Sequence, residues 1–132
     1  MKDRIRFISH KGKKIFLVDC TNCSPDELEK ITHLVPQRVA ANAKGSLLLL
    51  ADFTGATFHK RIMDTVKEGI VLDRPYLKRS AWVGIDGLPA VFYENLKAFS
   101  QRDLPAFKTR EEALEWLVSD EKAPSAASPQ TT

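Results

Sequence analysis

Two cysteines, three histidines and an aromatic content of 8% are all that this chain of 132 residues supplies, and each shortage excludes something. Two cysteines cannot build the disulfide framework of a small secreted domain. Scattered histidines and a single Cys-x-x-Cys pair fall short of a structural zinc set, which needs a second pair of ligands. The longest apolar run is far below the roughly 18 residues of a membrane span. The charged N-terminus also lacks the apolar core of a signal peptide, so a cytoplasmic protein without a transmembrane segment is expected. No nucleophile–base pair, phosphate loop or metal set completes a catalytic constellation, so the expectation is a non-enzyme with no catalytic residue, metal or cofactor. What is present is ordinary for a globular domain: 43% hydrophobic and 28% charged residues, with a formal net charge of +3.

The chain is organised around residues 46–58, SLLLLADFTGATF. The unbroken leucines leave no polar face, as expected of a strand covered on both sides within a parallel sheet. Asp52 ends the run, Phe53-Thr54-Gly55-Ala56 turns the chain, and a helical period opens at Phe58 and continues through Ile62, Val66 and Ile70. The region just past such a strand is where open α/β sheets usually bind ligands or partners.

Upstream, Arg4 and Arg6 alternate with Ile5 and Phe7, giving a first strand with a basic face and an apolar face. His10-Lys11-Gly12-Lys13 reads as a turn and Lys14–Asp19 as a second strand. The charges on this hairpin suit a solvated edge that resists pairing with other chains. No aromatic stacking set accompanies them, so nucleic acid is not expected as a partner. Cys20-Thr21-Asn22-Cys23 stands between strand and helix, where thioredoxin-like oxidoreductases carry their dithiol. The helix signal, however, is Ser24-Pro25-Asp26-Glu27, with Ser24 as N-cap and Glu27 completing a capping box. Both thiols therefore precede the cap, and half-buried, chemically ordinary cysteines are expected; redox use of Cys20 and Cys23 is the lesser alternative.

Leu28, Ile31, Leu34 and Val35 form one face of the first helix, which Pro36 should kink or break, with a second helical piece over Gln37 to Asn42. His33 lies off that face and should meet solvent. Glu68 to Leu72 follows the second helix, Asp73-Arg74-Pro75 reads as a linker, and Ser80–Ile85 as a buried strand. Leu88, Val91, Phe92, Leu96 and Phe99 recur at helical spacing. A short strand is read around Leu104–Phe107, and a capping box at Thr109-Arg110-Glu111-Glu112 opens a last helix through Ala113, Leu114, Trp116, Leu117 and Val118. The fold class that results is α/β: an N-terminal antiparallel hairpin leading into a mostly parallel five-stranded sheet with helices packed on it. Residues 1–119 should form one domain, and 120–132, nearly devoid of apolar surface, a disordered C-terminal tail.

This leucine-rich strand, followed by Asp52-Phe53-Thr54-Gly55, Ala81-Trp82-Val83-Gly84 and the closing FKTREEALEWL of 107–117, resembles the SpoIIAA-like branch of the STAS superfamily over roughly residues 4–119. The resemblance implies a small regulatory domain that acts through protein–protein contacts, as an anti-sigma-factor antagonist or as the cytoplasmic domain of an anion transporter. It also implies likeness in shape to CRAL-TRIO domains, which bind hydrophobic cargo. The antagonists carry a phosphorylated serine at the start of the helix after the central strand. Here that region reads Ala56-Thr57-Phe58-His59-Lys60-Arg61, without serine, and Thr57 is read as a helix cap rather than a phosphate acceptor.

Candidate partner- or ligand-binding residues are accordingly Asp52, Thr54, Gly55, Thr57, His59, Lys60 and Arg61. Backbone amides near Thr54–Thr57, at the expected helix start, with the adjacent cations, would suit an anion. Asp19, Asp52 and Asp86 should all lie at one sheet edge, each as a turn-former in preference to a cation ligand. The expected partner is a protein; a small anionic or lipid ligand in the cleft is the alternative. A homodimer through the first strand or a helix face stays open.

Overall fold

The computed structural model describes residues 4–87, 93–95, 98 and 105–119. Five strands lie side by side in chain order: β1 (Ile5–His10), β2 (Lys13–Asp19), β3 (Leu47–Asp52), β4 (Leu77–Val83) and β5 (Ala106–Phe107). β1 runs antiparallel to β2, and every later neighbour is parallel. Lys11 and Gly12 both take positive φ (50° and 80°), the twisted two-residue turn that joins antiparallel strands tightly. The sheet is flanked by α1 (Pro25–Val39), α2 (Met63–Asp73) and α3 (Arg110–Val118).

β3 is the middle strand, and all six of its residues are buried. Because side chains alternate across a strand, its leucines divide between two cores. Leu47, Leu49 and Ala51 join Leu28, Ile31, Val35 and Val39 of α1 and Trp82 of β4. Leu48 and Leu50 meet Ala81 and Val83 and, from α3, Ala113, Leu114 and Leu117. Burying each such leucine contributes about 2 kcal/mol. The continuous apolar run thus has a physical reason: both faces of this strand are roofed by helix.

α1 begins as its residues require. Ser24 Oγ accepts from the Glu27 amide (3.2 Å), while Glu27 Oε1 accepts from the Ser24 amide (2.9 Å). The expected break at Pro36 does not occur, and α1 runs on to Val39. Pro36 lies in the last turn, where it removes one helical hydrogen bond, and its own carbonyl still accepts from Ala40 (3.0 Å). α2 also departs from expectation. It begins at Met63 after a short 3-10 turn, Lys60–Ile62, and includes Glu68 to Asp73, which the sequence suggests as a following segment and linker. β4 correspondingly starts at Leu77 and ends at Val83. His33 is exposed as expected. Residues 93–95 and 98 are helical. The rest of the expected aromatic helix, Leu88 to Phe99, and the expected tail at 120–132 lie outside the described residues.

The hairpin's basic face is more engaged than a solvated edge. Arg4 donates from Nη1 to the carbonyls of Asp19 (3.2 Å) and Thr21 (2.8 Å), and Arg6 Nη1 lies 3.5 Å from Asp19 Oδ2. At the far end of the hairpin, His10 and Lys11 meet Glu115 of α3 at 2.8 and 2.7 Å.

Candidate functional site at the ends of the parallel strands

β2 and β3 stop in register, with Asp19 opposite Asp52. Each is followed two residues later by a threonine, and the two turns are built alike. Thr21 donates its amide (3.2 Å) and hydroxyl (2.7 Å) to Asp19 Oδ1. Thr54 donates its amide (3.0 Å) and hydroxyl (2.7 Å) to Asp52 Oδ1. Arg110, the first residue of α3, spans both. Its Nε and Nη2 each lie 2.9 Å from Asp52 Oδ2, and Nη2 lies 3.5 Å from Asp19 Oδ1. Burial pushes the Asp19 carboxyl up, but the Thr21 hydroxyl and amide, then Arg110 and Arg6, outweigh it and hold it below its ordinary value.

This arrangement ties β1, β2, β3 and α3 together through one charged cluster and leaves its carboxylates committed to protein donors. Asp86 sits in a separate exposed 3-10 turn, Ile85–Gly87. Among the described residues, no group of three or more His, Cys, Asp or Glu side chains could hold a metal ion.

The loops beyond the strands are bonded to one another. Asn22 donates its amide to the Thr54 carbonyl (2.8 Å), Thr57 to that of Cys23 (3.0 Å), and Phe53 to that of Val83 (2.8 Å). Gly55 has φ of 74°, and a side chain there would run into Asn22 Oδ1. Gly55 is therefore demanded first by its left-handed backbone, the Asn22 side chain being free to turn aside. Thr57 caps no helix: neither the Lys60–Ile62 turn nor α2 has a side-chain cap. The expected anion site loses its basis for the same reason, since α2 starts six residues after Thr57 and the amides of Thr54, Ala56 and Thr57 are already spent within the protein.

The remaining candidates form an exposed ledge. Thr54, Thr57, His59, Lys60 and Arg61 are exposed, while Asp52 is only 4% exposed beneath them. Arg61 reaches α1, pairing with Asp26 (3.3 Å) and Glu29 (3.7 Å). Farther along α2, Val71 (38%) and Leu72 (53%) are two of the three large apolar side chains exposed among the described residues; Phe7 is the third.

Cys20 and Cys23 are unbridged, and both are 1% exposed, so the expectation of half-buried thiols is corrected to full burial. A hydrogen bond between them, and then burial, push Cys20 well above the ordinary thiol value; the same bond pulls Cys23 down, so the proton belongs to the pair. The pair is enclosed, whereas reactive thiolates are as a rule partly exposed.

A cavity of about 90 Å³ lies between α1, α2 and the sheet. Its walls are mostly apolar, including Val35, Leu49, Ile70 and Trp82, but Asp73 and Ser80 also line it. Asp73 Oδ1 and Ser80 Oγ are buried without a hydrogen-bond partner, and burial pushes Asp73 up to about 7.

Sequence reasoning missed Arg110, Arg4 and this cavity. The repeated Asp-x-Thr at 19–21 and 52–54 was the available signal for the twin turns. Nothing local marked Arg110 as their partner, 58 positions from Asp52.

The hairpin, the parallel strands and the two helical layers make this a STAS-like α/β fold. The structure is similar to that of an anti-sigma-factor antagonist (STAS) domain protein from Planctomyces limnophilus, with a TM-score of 0.53 and 16% identity, over 87% of this chain and 98% of that one. The fold expected from the sequence is thereby met. No protein-family model matches the chain, and no curated protein matches it. Among the described residues, no helix is long and apolar enough to cross a membrane.

Proposed function

We propose that this protein is a non-enzymatic regulatory module that binds a protein partner through the loop and helix following β3. The observation that carries the reading is the ledge at 54–61. A backbone anchored at Thr54 and Thr57 by bonds to the loop after β2 leads to the exposed His59, Lys60 and Arg61, and the helix that follows exposes Val71 and Leu72. Cations at the start of this helical stretch and apolar side chains about three turns further along it suit an elongated partner surface with an acidic end and an apolar end. The fold neighbour's description as an anti-sigma-factor antagonist supports a regulatory role of this general kind. The committed carboxylates of the strand-end cluster speak for a scaffold there and against general acid–base work.

Lys60 is the better single probe. Reversing Arg61 also breaks its exposed pairs with Asp26 and Glu29, a loss of about 0–1 kcal/mol unrelated to a partner. The test is affinity purification from the host with wild type and Lys60→Glu side by side, after their circular dichroism has been matched. A protein recovered by wild type and lost from the variant supports the surface; identical recoveries reject it. A second reading, a ligand-binding domain, is favoured only in its apolar form, by the cavity under α1 and α2.

A further inference from the structure

Resting on that second reading, we propose that the cavity between α1, α2 and the sheet takes a slender aliphatic molecule bearing one neutral hydroxyl, held by Asp73 and Ser80. A buried polar atom without a partner is costly, by about 1–3 kcal/mol each, and native interiors keep few of them. Here Asp73 Oδ1 and Ser80 Oγ are both in this condition, in residues 8% and 4% exposed, and both line the same mostly apolar space. They sit on different elements, the end of α2 and the middle of β4, so no single local irregularity accounts for the two.

The chemistry of the lining selects the occupant. Apolar walls require an apolar body. At about 90 Å³ the space is smaller than the roughly 150 Å³ cavity known to admit benzene, but it is only half enclosed, so a chain can enter end-on with part of its length left outside, where a ring would have to fit whole. A hydroxyl can donate to one oxygen and accept from the other, since serine offers both roles and a carboxyl lifted towards neutrality offers both in turn. A charged head group fits less well. Among the described residues, Asp73 and Arg74 are the charged side chains that line the cavity, with opposite signs and adjacent in sequence. A head group of either sign would meet one attractive and one repulsive neighbour, and so gains little there to offset its loss of hydration.

The wall formed by α1 and α2 is thinly built. A Cβ built on Gly69 of α2 would lie 3.7 Å from Pro36 Cγ of α1, ordinary contact, so the two helices meet here without interlocking side chains. Met63, Val66 and Ile70 of α2 are only partly buried against the core, and Asp73 is the helix's one buried residue. α2 is thus held off the sheet at the place where the cavity lies.

The test uses the full chain carrying Trp116→Phe, which leaves cavity-lining Trp82 as the sole tryptophan. Its emission is titrated with n-hexanol and with n-hexane. Saturable binding of hexanol, tighter than hexane and weakened about fivefold to tenfold by Ser80→Ala, is the expected result. Equal affinity for hexane and hexanol overturns the hydroxyl assignment while leaving an apolar ligand site standing. Absence of saturation by either compound overturns both, and ordered water then fills the space. Should Ser80→Ala fail to fold, the preference for hexanol over hexane in the parent chain decides the matter alone.

Discussion

Replacing Asp73 with asparagine should change how stability depends on pH, in a direction and by an amount that the structure dictates. Burial lifts this carboxyl from 3.8 to about 7. Between those values the folded chain retains a proton that the unfolded chain has released. Folding therefore takes up a proton, and stability falls as the pH rises, by about 1.4 kcal/mol for each unit. Over the whole window this amounts to about 4 kcal/mol, fully present below the unfolded value and lost as the pH passes through about 7. The side chain belongs to a residue only 8% exposed, so solvent screening removes little of it. The asparagine variant has no such titration. Urea unfolding at about pH 5.5 and about pH 8.5 should show wild type losing about 2 kcal/mol more than Asp73→Asn over that interval. Carboxylates that titrate alike in both proteins cancel in the difference. Parallel pH profiles for the two would refute the claim that Asp73 is buried without compensation.

Arg110→Gln should cost about 3 kcal/mol in urea unfolding, because it leaves Asp52, 4% exposed, without its cation; the figure sits at the low end for buried pairs because Arg110 is about one-third exposed. Leu50→Ala removes a fully buried side chain from the layer under α3 and should cost about 2–5 kcal/mol by the same assay. Gly84→Ala places a side chain at φ 73° against the Thr54 backbone and should lower the melting temperature by more than Ser24→Ala, which removes an N-cap contributing about 1 kcal/mol.

How far the fold could be read depended on whether a signal was local. The Ser24–Glu27 capping box, the Lys11-Gly12 turn and the leucine run are each short-range patterns with one cheap solution, and each occurs where the residues indicate. The start of α2 could not be read in this way. Thr57 has the chemistry of an N-cap, yet its amide is drawn to the Cys23 carbonyl, a contact made only once β2 and β3 are side by side. The run Glu68–Leu72 misled for a related reason. Val71 and Leu72 look like core and are exposed, so hydrophobicity alone does not say which face the sheet receives. The candidate site was legible as a place, past the end of the central strand, but not as an arrangement. Asp19 and Asp52 announce their turns within two residues, whereas Arg110 arrives from the far end of the chain. A void such as that beside Asp73 is an absence of packing, and no residue type spells it.

The central claim is that partner binding occurs on the ledge after β3. Its most direct test is amide hydrogen exchange on the protein alone and in complex with the protein that co-purifies with it. The account predicts added protection at residues 54–61 and in the outer turns of α2, with β1 and α3 unchanged. Protection confined to the β1 edge or to α3, with 54–61 exchanging as in the free protein, would contradict it.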